Sequence, residues 1–165
     1  MYLGTNGNLY AFSEGLPIVY QTGGVQSFGM GAGNRVVYLG TNGNLYAFSE
    51  GQSVVHQAGG VKSFALGTGN RVFYLGTNGN LYVFSENQPI VYQAGGVQSF
   101  ALGTGNRVFF LDTNGVLNTF IERGPVTRIF SGVVKSFTTN ATGGIVDFTD
   151  SDGRLHRYQN GVVVY

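Results

Sequence analysis

The sequence predicts an all-β protein, a β-propeller of four-stranded antiparallel blades, about five of them. Residues 36–71 and 72–107 differ at only seven positions, and weaker copies of this 36-residue unit fill the rest of the chain. An Asn-Gly pair, a strong hairpin signal, recurs at the same period between β-branched and aromatic runs. Those runs are apolar on both alternating faces, so each sheet needs a neighbour on both sides. Radial stacking of the sheets supplies those neighbours.

Each repeat is predicted to contain four strands, named A for the innermost to D for the outermost. In the third copy the runs are residues 61–67, 71–77, 80–85 and 89–93, and turn residues separate them. The Asn-Gly pair between strands B and C predicts a two-residue type I′ turn, which needs positive φ at both residues. No stretch shows helical periodicity over two turns, so no helix is expected.

The repeats place one domain over residues 1–165. Its blade repeats are approximately residues 1–24, 25–60, 61–96, 97–132 and 133–165, and the first lacks its innermost strand. The edge that this leaves is expected to be a pairing site for another chain. The alternative architecture is a ring of four blades closed by residues 133–138, with the last segment as an appendage.

The motif order within a blade carries a family resemblance. The order is Gly-Gly-Val-x-Ser-Phe-Ala, a short turn, Val-x-Tyr-Leu, Asn-Gly and Leu-Tyr-x-Phe. This layout resembles the WD-repeat blade, without the Gly-His and Trp-Asp marks of that family. It is more similar to the tachylectin-type five-bladed lectins, whose blades also join through Gly-Gly and turn at Asn-Gly. The resemblance implies a lectin with a sugar site between each pair of blades.

Composition narrows the function classes. Charged residues are 10% of the chain and the net charge is +1, so no electrostatic field is expected to attract nucleic acid or an anionic membrane. The chain contains no cysteine, which removes disulfides, thiolate metal sites and cysteine nucleophiles, and no apolar run reaches the ~20 residues of a membrane span. We expect no cofactor and no metal. No basic leader precedes Tyr2, and the compartment stays open.

Uncharged amide and aromatic side chains recur on the predicted face that carries the B–C turns and the D–A connections. Amides bond the hydroxyls of neutral sugars, and aromatic rings provide an apolar platform. The candidate ligand-binding residues are Asn42, Gln57, Asn78, Gln93, Tyr92 and His56. Turn preference alone also accounts for the asparagines. The sequence therefore favours a non-enzymatic, lectin-like module. A protein–protein or structural scaffold that assembles through its incomplete blade is the alternative, and an engineered, fragmentary or near-consensus propeller also fits the near-identical copies.

Charged residues suggest three further sites, each with a structural alternative. His156 could pair with Asp150 or Asp152 across a hairpin, but no nucleophile accompanies it. The segment 147–153 looks like a truncated calcium loop, but no Glu follows at the distance that such a loop needs, and an Asp-Gly hairpin turn is the favoured explanation. Repeated arginines in the A–B turns and glutamates in the C–D turns predict ion pairs between turns; they are Arg35, Arg71, Arg107, Glu14, Glu50, Glu86 and Glu122.

Overall fold

The computed structural model describes residues 1–49, 51–140 and 144–164. Within these residues the strands form one three-stranded and four four-stranded antiparallel sheets, each of which we call a blade. Blade 1 contains β1 (Tyr2–Leu3), β2 (Leu9–Ala11) and β3 (Val19–Thr22). Blade 2 contains β4 (Val25–Met30), β5 (Arg35–Gly40), β6 (Leu45–Ser49) and β7 (Val55–Ala58). These bounds confirm the all-β fold class and the missing strand of the first blade.

The remaining blades repeat the order A–B–C–D within their sheets. Blade 3 contains β8 (Val61–Leu66), β9 (Val72–Gly76), β10 (Leu81–Phe84) and β11 (Val91–Ala94). Blade 4 contains β12 (Val97–Leu102), β13 (Arg107–Asp112), β14 (Leu117–Ile121) and β15 (Thr127–Arg128). Blade 5 contains β16 (Val134–Thr139), β17 (Ile145–Asp150), β18 (Leu155–Gln159) and β19 (Val162–Val164).

Blade 5 decides between the two predicted architectures. Its first strand, β16, pairs with β17 of the same blade, with Phe137 opposite Phe148. The C-terminal segment is therefore a complete four-stranded blade, and the four-bladed alternative is wrong. Within the residues that the structure describes, short 3₁₀ turns lie in two A–B connections, at Ala32–Asn34 and Thr104–Asn106. Among the described residues, no helix has the length and apolar character needed to traverse a bilayer.

The chain divides into two compact units, residues 1–64 and 65–165, with the boundary inside β8. In the first unit, Leu9 of blade 1 packs with Val36, Tyr38 and Phe48 of blade 2. In the second unit, two apolar clusters join blade 3 to blade 4 and blade 4 to blade 5. We call the side of a blade that faces the preceding blade its incoming face, and the opposite side its outgoing face.

The Gly-Gly pairs have a defined role in linking consecutive blades. The amide of Val97, which follows one such pair, donates to the carbonyl of Gly79 in the B–C turn of the preceding blade, at 2.8 Å. Thr113 N, in the B–C turn of blade 4, donates to Gly96 O of the connection that enters this blade at 2.9 Å, and Gly96 adopts a φ of 64° that favours glycine. The same two bonds link blade 1 to blade 2, from Val25 N to Gly7 O at 2.9 Å and from Thr41 N to Gly24 O at 2.8 Å.

The B–C turns differ from the predicted two-residue type I′ form. In blade 3 the turn is closed by Gly79 N donating to Gly76 O at 3.0 Å and by Gly76 N donating to Asn80 O at 2.8 Å. Gly79 has a φ of 76°, whereas Asn78 is not among the residues with positive φ. The pattern is a longer turn with one left-handed glycine, and the type I′ prediction is wrong because the asparagine acts through its side chain instead.

Candidate functional site: the asparagine–tyrosine clusters

The side chains of the B–C turn in blade 3 converge on one tyrosine hydroxyl. Asn78 Oδ1 accepts a hydrogen bond from the Asn80 amide at 3.0 Å, which fixes the turn. Asn78 Nδ2 and Asn80 Nδ2 then donate to Tyr82 Oη at 3.0 and 3.3 Å. The Tyr82 ring stacks on Tyr74, with centroids 5.0 Å apart, and meets Tyr92 edge to face at 6.2 Å. We call this group an asparagine–tyrosine cluster.

Blades 1 and 2 contain the same cluster. In blade 2, Asn42 Nδ2 donates to Tyr46 Oη at 2.8 Å, and His56 takes the place of Tyr92, 5.6 Å from the Tyr46 ring. In blade 1, Asn6 Nδ2 donates to Tyr10 Oη at 3.2 Å. Tyr20 is the edge-to-face partner there, at 6.1 Å. Three blades thus present a tyrosine hydroxyl beside an exposed ring of strand D.

The two amide donors change the electrostatics of the hydroxyl. Hydrogen bonds from Asn78 and then from Asn80 favour the phenolate and lower the pKa of Tyr82 below its ordinary value. The pKa of Tyr10 and that of Tyr46 are lowered for the same reason by their own asparagines. Because the oxygen already accepts two hydrogen bonds, its own proton is available to an external acceptor. Each cluster therefore offers a polarised donor at the surface.

The structure separates the six predicted site residues into two groups. Asn42, Asn78, His56 and Tyr92 belong to the clusters. Gln57 and Gln93 do not, because their amides bond the main chain of their own strands, Gln57 Nε2 to Val55 O at 3.3 Å and Gln93 Nε2 to Tyr92 O at 3.1 Å. Gln93 Oε1 also accepts the Arg123 amide of blade 4 at 3.1 Å.

Sequence reasoning missed Tyr46 and Tyr82 as members of the candidate site. A signal was present in the repeat itself. Blades 1 to 3 read Gly-x-Asn-x-Asn-x-Tyr, whereas blades 4 and 5 replace the glycine by Asp and the tyrosine by Asn118 or His156. Positions that change together between copies indicate a contact between the residues. Here the glycine before the turn and the tyrosine after it change together.

Blades 4 and 5 cap the turn differently. Asp112 Oδ1 accepts the amides of Asn114 and Val116, both at 2.9 Å. Asp150 Oδ1 does the same for Asp152 and Arg154, both at 2.9 Å. A side chain at position 76 would displace the asparagine cap from its present place, since a Cβ on Gly76 would lie 2.6 Å from Asn78 Oδ1. The aspartate therefore takes over from the asparagine as acceptor of the turn amides.

This exchange yields a testable prediction. Gly76→Ala is expected to lower the free energy of unfolding by about 1 kcal/mol, because the new Cβ displaces the Asn78 side chain and its hydrogen bonds. Gly76→Asp is expected to cost less, since its carboxylate can accept the turn amides as Asp112 does. Urea unfolding of both variants measures the difference. An alanine variant as stable as the aspartate variant would contradict the proposed exchange.

The His156–Asp150 pair is enclosed rather than presented to solvent. His156 Nε2 lies 2.8 Å from Asp150 Oδ2, and both residues are buried. The imidazole stacks on Phe148 at 5.0 Å and contacts Phe130 at 4.9 Å. The hydrogen bond from His156 is the largest cause that lowers the pKa of Asp150, with the two backbone amides adding to it against desolvation. This geometry favours a structural role for the pair.

The segment 147–153, which resembles a truncated calcium loop, has two of its carboxylates bound to other side chains. Asp147 forms a bidentate pair with Arg157, at 2.7 and 3.0 Å, and Asp150 bonds His156 and the turn. The guanidinium of Arg157 keeps the pKa of Asp147 below its usual range. Across residues 1–49, 51–140 and 144–164, no group of three or more histidine or carboxylate side chains is close enough to hold a metal ion.

An ion pair between turns of neighbouring blades is present as predicted. Arg71 Nη2 of blade 3 lies 3.0 Å from Glu122 Oε1 of blade 4, and Arg71 Nη1 donates to Ser85 Oγ at 3.0 Å. Glu50, one of the repeated glutamates, lies outside the described residues. A pair of this kind contributes about 0–1 kcal/mol and links turns without a ligand.

A groove in the first unit lies beside the cluster of blade 1. Its volume is about 540 Å³, and its lining combines apolar and amide side chains. Tyr20 and Gln21 of blade 1 and Gln52 of blade 2 belong to this lining. Tyr20 therefore belongs both to the blade 1 cluster and to the lining of the groove between blades 1 and 2.

Comparison with known proteins supports the fold alone. No protein-family model matches the chain, and no curated protein matches it. Among solved structures, Hsv2 of Kluyveromyces lactis is similar at a TM-score of 0.71 and 13% identity, covering 97% of this chain and 57% of that one. A catalytically inactive virginiamycin B lyase from Staphylococcus aureus with quinupristin gives a TM-score of 0.60 at 10% identity, covering 93% of this chain and 63% of that one. The tricorn protease gives a TM-score of 0.63 at 14% identity, covering 96% of this chain and 20% of that one.

The chain thus spans less than two thirds of the length of each of these structures. At such low identity the similarity carries no activity across. Together with the sheet order, it indicates that the chain is built on the β-propeller scaffold.

Proposed function

We propose that the chain is a non-enzymatic binding module that recognises neutral glycans at the asparagine–tyrosine clusters of blades 1 to 3. One observation supports this most directly. Each cluster places a tyrosine hydroxyl, already accepting two amide hydrogen bonds, beside an exposed ring of strand D. Tyr20 and Tyr92 are each 58% exposed, which leaves their rings available as platforms.

The chemistry of the cluster suits a sugar better than a charged ligand. Its side chains are uncharged amides and phenols, which bond hydroxyl groups without a field that would select an ion. An aromatic ring provides the apolar surface on which the C–H face of a sugar packs. In blade 1 the adjoining groove offers room for more than one sugar residue beside Tyr20.

Repetition compensates for the small size of each site. A single hydroxyl and one ring give low affinity, but several copies on one chain raise the effective concentration of each site for a multivalent glycan. Branched or repeated glycans should therefore bind more tightly than monosaccharides. We propose a non-enzymatic module, and the enclosure of the His156–Asp150 pair by phenylalanine rings, outside the clusters, supports this.

The hydroxyl can be tested without changing the fold. The triple variant Tyr10→Phe, Tyr46→Phe and Tyr82→Phe is expected to weaken glycan binding at least about tenfold, since each site loses one hydrogen bond of ~1 kcal/mol. The measurement is a neutral-glycan array, followed by titration calorimetry on the strongest hit.

A matched control removes three neighbouring hydroxyls from the same blades. Tyr2, Tyr38 and Tyr74 are the rings that stack under the cluster tyrosines. Their change to phenylalanine is tolerable, since blade 4 has Phe110 at this position, and glycan binding should be retained. Equal loss in both triple variants, or no binding of any neutral glycan by the unchanged chain, would reject the proposal.

A further inference from the structure

The B–C turns of blades 1 to 4 share the sequence Thr-Asn-Gly and the same backbone. Their asparagines are all exposed, and they are Asn6, Asn42, Asn78 and Asn114. In each turn the amide of the glycine donates to the carbonyl three residues before it at 3.0 Å, and the φ of that glycine lies between 73° and 77°. The four turns are therefore a matched set, in which a difference in the reactivity of the asparagines has to come from their side chains.

In blades 1 to 3 the asparagine side chain is held at both ends. Asn78 Oδ1 accepts the Asn80 amide at 3.0 Å, and Asn78 Nδ2 donates to Tyr82 Oη at 3.0 Å. The equivalent two distances are 3.1 and 3.2 Å for Asn6, and 3.1 and 2.8 Å for Asn42. Each of these side chains can turn freely only after both of its hydrogen bonds have broken.

In blade 4 other residues have taken over both of these bonds. Asp112 Oδ1 accepts the turn amides of Asn114 and Val116, both at 2.9 Å. Asn118 stands in the place of the tyrosine, and its Nδ2 donates to Val116 O at 3.0 Å. In the part of the chain that the structure describes, no hydrogen bond joins the Asn114 side chain to another residue. Asn114 thus has the sequence and backbone of the other three turns without their side-chain bonds.

Asparagine is a thermolabile residue, and next to glycine it loses ammonia in water by attack of the glycine nitrogen on its side chain. We propose that Asn114 is a modification site of this kind, at which the chain deamidates while the asparagines of the asparagine–tyrosine clusters are protected. Gly115 N gives its proton to water and bonds to Asn114 Cγ. The Cγ–Nδ2 bond then breaks, and Nδ2 takes a proton from solvent and leaves as ammonia. Water opens the cyclic imide at either carbonyl, to give aspartate or isoaspartate.

Blade 5 shows that the aspartate product fits the fold. Asp152 occupies the position of Asn114 there, in a turn that Asp150 caps as Asp112 does in blade 4. The glycine after Asp152 donates to Asp150 O at 3.1 Å, so the turn keeps its closing bond beside a carboxylate. Deamidation of Asn114 should therefore lower the net charge of +1 by one and leave the blades in place.

The test is incubation of the folded chain in mildly alkaline buffer, followed by tryptic digestion and mass spectrometry. Cleavage after lysine and arginine puts each of the four asparagines in a peptide of its own. Asn114 is expected to react about thirtyfold faster than its three counterparts, because each of those has two hydrogen bonds to break first. In urea the four rates should become similar, since the flanking sequences match. An Asn114 that reacts no faster than Asn78 in the folded chain would overturn the proposal, as would an equal excess in urea.

A variant tests whether the tyrosine bond is the source of the protection. Tyr82→Phe removes the acceptor of Asn78 Nδ2 and is expected to speed the deamidation of Asn78 about fivefold, for the loss of one hydrogen bond. Asn42 in the same molecule keeps its own tyrosine and serves as the internal control. An Asn78 rate that stays equal to that of Asn42 would contradict the protection. No ligand enters either assay, so the outcome is independent of glycan binding.

A fifth Asn-Gly pair is kept apart from this comparison. Asn160 lies in the C–D turn of blade 5 and has a φ of 52°, so its backbone differs from that of the four B–C turns. Trypsin releases it in the C-terminal peptide, where its rate is measured separately.

Discussion

Leu117→Ala is expected to lower the free energy of unfolding by about 2–5 kcal/mol, because it removes a fully buried side chain from the cluster between blades 4 and 5. Leu117 lies with Phe109, Val146 and Phe148 in that cluster, and none of these rings or branched side chains can close the cavity without leaving its own contacts. Urea unfolding followed by circular dichroism measures the loss.

The repeat supplies a control of the same residue type. Leu155 occupies the position of Leu117 in blade 5 and is 71% exposed instead of 0%. Leu155→Ala is therefore expected to change the free energy of unfolding by less than about 0.5 kcal/mol. A similar loss in both variants would show that burial at the outgoing face does not determine the stability of a blade.

His156→Ala is expected to lower the free energy of unfolding by about 3–5 kcal/mol at neutral pH, since it removes the side-chain partner of the buried Asp150 Oδ2 atom and opens a cavity between Phe130 and Phe148. His156→Asn should cost less, because blade 4 combines Asp112 with a buried Asn118 at the equivalent positions.

The pH dependence of this loss has a definite sign. The pKa of Asp150 is lowered in the folded state, chiefly by His156, so the stabilisation is present above the unfolded pKa of about 3.9 and is lost as the pH falls through the folded value. The difference between the unchanged chain and His156→Ala should therefore shrink below about pH 4. Urea midpoints measured from pH 2 to pH 7 check this. A difference that stays constant over that range would exclude the ionised carboxylate as its source.

The sequence predicted the blade layout because the residues that begin the strands and form the turns recur almost unchanged between the central repeats. The A strands begin at Val25, Val61 and Val97, as the Gly-Gly-Val pattern indicated. The hairpin positions were also predictable, although the turn type was not. A turn that is stabilised by the Asn78 side chain and a turn that needs Asn78 in a left-handed conformation have the same sequence signature.

The site was only partly predictable. Asn78 and Tyr92 were identified by residue type, but their meeting point, Tyr82, was not, since an aromatic residue in an alternating strand also fits the space between sheets. Gln93 was grouped with them because it precedes the D–A connection. Its amide instead bonds main-chain groups, a choice of rotamer that no sequence pattern records.

The hydrogen bonds that close the B–C turn, such as those from Gly79 N to Gly76 O and from Gly76 N to Asn80 O, are made within a few residues, and this has a consequence for folding. Blades 2 and 3 are almost interchangeable in sequence, so a strand from one could in principle exchange with its counterpart in the other. The strands of a hairpin, such as Tyr74 and Tyr82, are only eight positions apart, whereas exchange would close a loop several times longer. Loop closure is faster and costs less entropy for the shorter loop, so each hairpin forms with its own partner before a neighbouring copy can compete.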